Sequence, residues 1–438
     1  MGGNARFIDR QTGKDKGFAE KIDLNKISRD TIVNEVLTGL LFLNQKIHEK
    51  KGNYLWPDRE VIKKGYIFNG SSFSLFDRSI SNEHFVKFKP LIGDIDVTFP
   101  REHMKNLWGV LNELENTEFS KYITYMGHKN SAIEPNKAGN LNQINAVFRF
   151  DNDDISTFIQ IDFEASEYQN SMPTEWSMFS HNSDWEDIKN GYKGVMHKFT
   201  LMNLARASSK MNDIKVVTPT QVKKIEDVSS IEYEEFVKQG KKNKLAKVST
   251  KKDFINPTNL AFSVDKGVRI KFRQLFHNDG IPAKIDGSSV FVFVAPNESN
   301  YETKLESIFS LIFHTEPKDD DLKEFKSFVG LVNLMKKYLD QSIIEDFFIN
   351  HLIPKSLFGE NAQGLERNNP DEDKKIKMMM VDKLYSSFNY LTKYKDKVEH
   401  LKNKYYAAYK MYDEIEGKFI NKSFSQIFES IDREEKLV

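Results

Sequence analysis

The sequence predicts an α+β chain in three parts: an α/β-type core with a mixed sheet, a mixed middle domain and a helical C-terminal domain. Three observations lead there. Apolar residues recur at helical spacing over 24–50 and again after Tyr301. Strand-like alternation dominates between Tyr66 and Phe163. Short strand-like runs return over 260–294. The implied boundaries are 20–210, 211–300 and 301–438, and a chain of 438 residues exceeds one typical core.

Composition narrows the function classes. Lys+Arg and Asp+Glu both total 64, so the formal net charge is zero and a nucleic-acid partner must be held by a local patch. Cys is absent, which excludes disulfides, thiol catalysis and Cys-based zinc sites. The stretch Met1 to Gly17 is polar with no apolar signal core, and Leu37 to Leu43 is too short to span a bilayer. The expectation is a soluble, cytoplasmic protein with no membrane partner.

Along the chain, Ile32, Val36, Leu40, Leu43 and Ile47 mark a helix over 24–50, with Ser28 or Asp30 as its cap. Tyr66-Ile67-Phe68 reads as a first strand, leading into the turn Asn69-Gly70-Ser71-Ser72. Ile92 to Phe99 reads as a second strand, ended by Pro100. It carries Gly93-Asp94-Ile95-Asp96-Val97, and residues two apart in a strand share a face. Asp94 and Asp96 therefore project together while Ile95 and Val97 point into the core. Two carboxylates in one cleft repel unless a cation sits between them, and Mg²⁺ takes hard oxygen ligands of this kind.

Arg101 to Leu114 looks helical, and Lys121 to Met126 and Ile144 to Phe150 look like strands. The second of these pairs with Thr157 to Phe163 across the turn Asp151-Asn152-Asp153-Asp154, whose acids suit a solvated hairpin tip. From Thr157 to Glu164 the alternation puts Ile159, Ile161 and Phe163 on one face and Gln160, Asp162 and Glu164 on the other. A two-metal phosphoryl-transfer site wants a third carboxylate from a neighbouring strand. Asp162 is the choice and Glu164 the reserve.

These residues resemble the nucleotidyltransferase superfamily of DNA polymerase β, poly(A) polymerases and CCA-adding enzymes. The resemblance rests on the Gly-Ser turn, the Asp-Ile-Asp strand and a later single Asp on a strand, and covers roughly residues 60–165. It implies that Gly70, Ser71 and Ser72 meet the triphosphate of an NTP such as ATP. It also implies that Asp94, Asp96 and Asp162 bind two Mg²⁺ ions, with Mn²⁺ as a substitute. One ion would activate the acceptor hydroxyl and the other neutralise the pyrophosphate leaving group. The segment Phe73 to Ile92 is longer than the family places between turn and Asp pair.

Further on, Lys198 at the start of an apolar helix is a candidate for the triphosphate, and Lys193 a weaker one; the alternative is Lys facing water. His197 reads as packed or exposed. The run Lys238, Lys241, Lys242, Lys244, Lys247, Lys251 and Lys252 either tracks an RNA backbone or is a solvated loop. Asp265-Lys266-Gly267 marks a hairpin, and Val290 to Val294 a central apolar strand. Arg269, Lys271 and Arg273 share one face, lining a polyphosphate or nucleic-acid groove or simply facing solvent. Asp286-Gly287-Ser288-Ser289, a second Gly-Ser copy, has no Asp pair behind it and reads as an ordinary turn. Gly359 to Asp373 reads as a linker between two amphipathic stripes, and Met378-Met379-Met380 as core filling. Tyr405, Tyr406, Tyr409 and Tyr412 either stack on bases or pack.

The expected activity is Mg²⁺-dependent transfer of a nucleoside monophosphate from an NTP to an acceptor hydroxyl. The basic run and the tyrosines tilt the acceptor toward an RNA end, with a protein or small molecule close behind. The competing reading is a non-catalytic scaffold of the same fold, or an RNA-binding protein.

Overall fold

The computed structural model describes residues 6–9, 14–18, 21–52, 54, 56, 59–115, 123–128, 143–152, 155–169, 172–181, 183–208, 258–263, 266–272, 282–284, 291–293, 301–362, 370–416 and 423–435. The basic run Lys238 to Lys252, the turn Asp286 to Ser289, Asp153, Asp154 and Arg273 lie outside them. The described residues form a mixed helix-and-strand protein. None of their helices is long and apolar enough to cross a membrane.

Strand β1 (Arg6–Asp9) pairs antiparallel with β2 (Lys14–Phe18), and β3 (Ile22–Asp23) leads into α1 (Arg29–Lys51). Helix α1 starts where Ser28 Oγ accepts the Thr31 N–H at 3.1 Å. It stops at Gly52, whose φ of 76° lets its N–H reach the His48 carbonyl. Asp30 sits in the first turn, not at the cap. Then follow α2 (Arg59–Lys63), α3 (Gly70–Phe76), α4 (Asn82–Phe88), β4 (Leu91–Ile92), β5 (Ile95–Pro100) and α5 (Met104–Glu115). Strands β6 (Ile123–His128), β7 (Gln143–Asn152) and β8 (Ile155–Ser166) complete a four-stranded sheet of order β5-β8-β7-β6. Only the β5–β8 pair is parallel.

Two expected strands change shape. Tyr66 to Phe68 is a turn with one bridge, Phe68 to Val97, because the chain swings into α3 at Gly70 before a ladder can grow. The expected strand Ile92 to Phe99 is broken at Gly93-Asp94. Its first half pairs with β3, as Ile22 opposite Ile92, and only its second half enters the main sheet.

The alternation in β5 and β8 divides the sheet by chemistry. Ile95, Val97, Phe99, Ile159, Ile161 and Phe163 are buried in one core with Val36 and Leu40 of α1 and Leu107 and Val110 of α5. Phe99 and Phe163 meet edge to face at 5.9 Å. The opposite face of β8 presents Gln160, Asp162 and Glu164. Apolar burial on one side therefore fixes the register that brings the acids together on the other.

A second core begins after β8. Helices α6 (Glu175–His181), α7 (Trp185–Lys189) and α8 (Gly194–Ser208) follow, and Trp176, Leu201 and Leu204 pack with Phe309, Phe328, Leu352 and Tyr405. Side chains of 176–207, grouped by sequence with the first part of the chain, thus share a core with the helices after residue 301. Asp187 of α7 ties them further. Its carboxylate accepts the Phe328 N–H at 2.7 Å and the Val329 N–H at 3.2 Å, capping the helix Phe328–Tyr338 from another element.

The strands Thr258–Ser263 and Gly267–Phe272 form the expected hairpin. Gly267 is required there, since a Cβ would lie 2.1 Å from the Glu302 carbonyl oxygen and φ is 116°. Phe291–Phe293 pairs with Pro282–Lys284 in a two-stranded ladder, so it is not the centre of a sheet among the described residues. An apolar run signals burial, not the number of neighbouring strands. The expected linker Gly359 to Asp373 is shorter, because Pro370 opens the helix Pro370–Ser387. Met380 is buried, with Met378 and Met379 packed beside it. Tyr405 is fully buried, and Tyr406, Tyr409 and Tyr412 pack against the same core, so these rings are committed to packing.

His197 is a packed histidine. Its Nε2 donates to the Phe325 carbonyl at 2.8 Å, and burial pushes the imidazole down to about 4. The folded pKa lies below the ordinary 6.5, so the unfolded chain binds the extra proton between those values. Stability from this site is complete above pH 6.5 and is lost as pH falls toward 4, by up to about 3 kcal/mol. Urea unfolding of His197→Gln against wild type at pH 7 and pH 5 checks it. The stability of wild type relative to the variant is expected to fall between pH 7 and pH 5, because only wild type carries the imidazole that must charge.

Candidate metal centre

The parallel pairing of β5 and β8 sets Asp96 directly beside Asp162. Asp94 stands one residue before β5 begins, on the same side as Asp96. One carboxylate oxygen from each of Asp94, Asp96 and Asp162 lies within 4.8 Å of the others, an arrangement that can hold a metal ion. Glu164, the reserve, is not one of the three that converge. It faces the Asn69 Nδ2 across 3.5 Å.

Electrostatics show why such a cluster wants a cation. Burial, then the charges of Asp94, Glu164 and Asp162, hold the Asp96 carboxyl well above the usual carboxylate range. Burial and the Asp94 charge push Asp162 up to about 6, against the pull of its hydrogen bonds from Gln160 and Asn145. Repulsion of this kind is relieved by a hard cation with oxygen preference, which the all-carboxylate donor set fits.

Asp162 is aimed by amides. Gln143 Nε2 donates to its Oδ2 at 3.1 Å, while Asn145 Nδ2 and Gln160 Nε2 donate to Oδ1 at 2.5 and 2.8 Å. A carboxylate accepts about four bonds, so three amide donors leave one acceptor position, on Oδ2. Asp162 therefore has one oxygen position left to offer a cation.

The Gly-Ser turn sits directly on the acids. The Asn69 N–H donates to the Asp96 carbonyl at 2.9 Å, and the Asp96 N–H donates to Ser72 Oγ at 3.0 Å. Gly70 has φ 54°, and a Cβ there would lie 2.5 Å from Asp96 Oδ2. Any side chain there must both displace the Asp96 carboxylate and adopt a left-handed backbone. Ser72 is buried and acts as a strut to β5, whereas Gly70 and Ser71 are half-exposed beside the carboxylates. Asn69 is fully buried, yet its side chain makes no capping bond and its Oδ1 has no hydrogen-bond partner among the described residues.

Gly70→Ala is expected to cost about 1–2 kcal/mol for the left-handed backbone alone. Displacement of Asp96 adds to that cost. Thermal unfolding of Gly70→Ala, Asp96→Ala and the pair tests this, because removing the Asp96 carboxylate relieves the clash but not the backbone cost. Coupling of about 0.5–3 kcal/mol is expected; strictly additive losses would contradict the contact.

The structure brings together Gly70, Ser71, Ser72, Asp94, Asp96 and Asp162. Lys198, another candidate for the triphosphate, is placed by its neighbours on its own helix: it lies on α8 next to buried His197. A cation close to the acids is Lys89, at the end of α4. Burial lowers its pKa while Asp94 and Asp96 raise it, and Lys193 is close enough to oppose them. Lys193 also pairs with Glu372 at 3.4 Å. Lys89, Gln143 and Asn145 escaped sequence reasoning, which reaches Asn69 only as part of the turn. The one available signal was that Gln143 and Asn145 keep the two-residue period of β7 on the acid face.

Comparisons with protein-family models, curated proteins and solved structures found no match for this chain.

Proposed function

We propose that this chain is a Mg²⁺-dependent nucleotidyltransferase. It moves a nucleoside monophosphate from an NTP to an acceptor hydroxyl and releases pyrophosphate. The observation that carries the reading is the register of Asp96 against Asp162, with Asp94 converging and Gly70 leaving Cβ space to the Asp96 carboxylate. A left-handed glycine packed directly on the Asp96 carboxylate supports a built site over a loose surface acid cluster.

Asp94, Asp96 and Asp162 would hold the cation, which when bound supplies charge stabilisation to the reacting phosphate oxygens. The protein's own residues do the rest. The three amides keep Asp162 aimed, and the Ser72 strut fixes the backbone of Asp96. Gly70 and Ser71 present an approachable turn to phosphate oxygens. Lys89 offsets triphosphate charge next to the acids. The acceptor oxygen forms the new bond to the α-phosphorus, the bond from α-phosphorus to the bridging oxygen breaks, and pyrophosphate departs. The hydroxyl proton leaves through the carboxylate cluster to water.

The acceptor is an RNA end, a protein side chain or a small molecule, because the site names its chemistry and not its acceptor. One of the two supports for RNA is gone, since the tyrosines of Lys395–Glu416 are spent on packing.

Thermal unfolding with Mg²⁺ and each NTP tests the reading. Joint addition is expected to raise the melting temperature in wild type, by mass action on the folded state, and not in Asp94→Ala. A flat response to every NTP would favour the scaffold instead.

A further inference from the structure

Phe88 and Leu91 are 39% and 47% exposed, two of only four large hydrophobics exposed among the described residues, and they lie three positions apart just before the acid strand. Phe88 belongs to an aromatic surface. His84 and Phe88 share a face of α4 with ring centroids 5.3 Å apart. Trp185 of α7 closes on both, at 5.5 Å from His84 and 6.0 Å from Phe88, each edge to face. From below, the buried Phe85 stacks on Trp185 at 5.7 Å and fixes the platform to the core.

This surface is continuous with the metal centre on two sides. Ser183, two residues before Trp185, donates its N–H to the Gly70 carbonyl at 3.1 Å, and its own carbonyl accepts from Ser74 Oγ at 3.3 Å. Lys89, the residue after Phe88, lies within the field of Asp94 and Asp96. Lys87 places its ammonium 5.5 Å from the Phe88 ring centre. Flat rings, flanking lysines and a cation-binding acid cluster thus follow one another along one surface. That sequence complements a base, a polyphosphate and its metal.

We propose that the His84, Phe88 and Trp185 platform seats the base of the bound nucleoside triphosphate, a proposal that rests on the nucleotidyltransferase reading. Phe88 and Trp185 supply stacking area, and Lys89 turns the polyphosphate toward the carboxylates. The platform offers two rings that can hydrogen-bond, His84 and the Trp185 indole N–H, and otherwise π-faces, which every base can use. Discrimination among the four NTPs by this surface is therefore expected to be only a few-fold.

The test titrates Mg·ATP and, separately, Mg·tripolyphosphate into wild type, Phe88→Ala and Trp185→Phe, reading affinity by calorimetry and tryptophan fluorescence. Phe88 is exposed enough that its loss leaves the fold intact, and Trp185→Phe keeps an aromatic ring in place. Phe88→Ala is expected to weaken ATP roughly tenfold and leave tripolyphosphate unchanged. ATP, but not tripolyphosphate, is expected to quench tryptophan emission in wild type and not in Trp185→Phe. If Phe88→Ala binds ATP as wild type does, the platform is wrong while the transfer reading stands. Quenching by an oligoribonucleotide that ATP does not displace would assign the surface to the acceptor and overturn the proposal. If wild type binds neither probe, the nucleotidyltransferase reading falls and takes the platform with it.

Discussion

Asp96→Asn is expected to reduce transfer by about a hundred- to a thousandfold or more, and at the same time to raise the melting temperature of the metal-free protein. Both effects have one origin. Asp96 is half-buried, and desolvation and the charges of Asp94, Glu164 and Asp162 raise its pKa, so without a cation its charge is a net burden on the fold. A neutral amide of the same shape removes that burden, and about 1 kcal/mol gained shifts a domain of this size by roughly 2–4 °C. It also removes a ligand, so Mg²⁺ should no longer stabilise the variant. The pH profile follows the same logic. The folded pKa of Asp162 is raised from 3.8 to about 6, so its contribution is complete below pH 3.8 and is lost as pH rises through 6. Mg²⁺ should restore it at pH 7. His197 works in the opposite sense over nearly the same interval. Metal-free wild type should therefore show a shallow acid profile, and Asp162→Asn should unmask acid lability. Lower stability in metal-free Asp96→Asn, with Mg²⁺ still protective, would deny that these acids form a cation site.

The second large effect is remote from the carboxylates. Arg29 at the start of α1 is buried and spends its guanidinium on the segment between the Gly-Ser turn and α4. Its Nε donates to the Leu75 carbonyl at 2.8 Å, Nη2 to the carbonyls of Ser74 at 3.1 Å and Asp77 at 2.6 Å, and Nη1 to the Ile80 carbonyl at 2.5 Å. The guanidinium also lies 4.8 Å from the Phe85 ring centre. These carbonyls include the end of α3, so Arg29 caps the short helix that carries Gly70 and Ser71. Arg29→Met is expected to cost about 3–5 kcal/mol, because it orphans several buried acceptors at once. Arg29→Lys should recover little, since an ammonium cannot reproduce a planar fork with donors on three nitrogens. Denaturant unfolding measures the loss, and Mg²⁺·NTP affinity of the folded fraction should fall with it. Full rescue by Lys would show that charge alone matters there.

Arg29 also marks the limit of what was legible beforehand. The periods were visible: Ile32 to Ile47 marked α1, and the alternation of Ile159, Ile161 and Phe163 gave β8 its two faces. From those periods and a three-part pattern, Asp94, Asp96 and Asp162 stood out as a group, and the fold brings their oxygens together. Register and long-range partners were not visible. Nothing local says that Asp96 aligns with Asp162 and not with Gln160 or Glu164, because a two-residue slip keeps the same face. Arg29 contacts carbonyls 45 to 51 positions away, and a backbone carbonyl has no signature in sequence. Lys89 lies in no periodic run, so its place beside Asp94 and Asp96 comes only from the tertiary fold. The long segment 73–92 has a physical account too: it holds α3 and α4, the Arg29 acceptors and the exposed aromatics.

The most direct measurement is transfer of label from α-labelled NTPs, with Mg²⁺, into separate RNA, protein and small-molecule pools, run beside the Asp94→Ala/Asp96→Ala double variant. Label should enter one pool, with equimolar pyrophosphate released, only when the carboxylates are intact. Equal incorporation by the double variant, or none in any pool despite NTP binding, would contradict a carboxylate-centred transfer site.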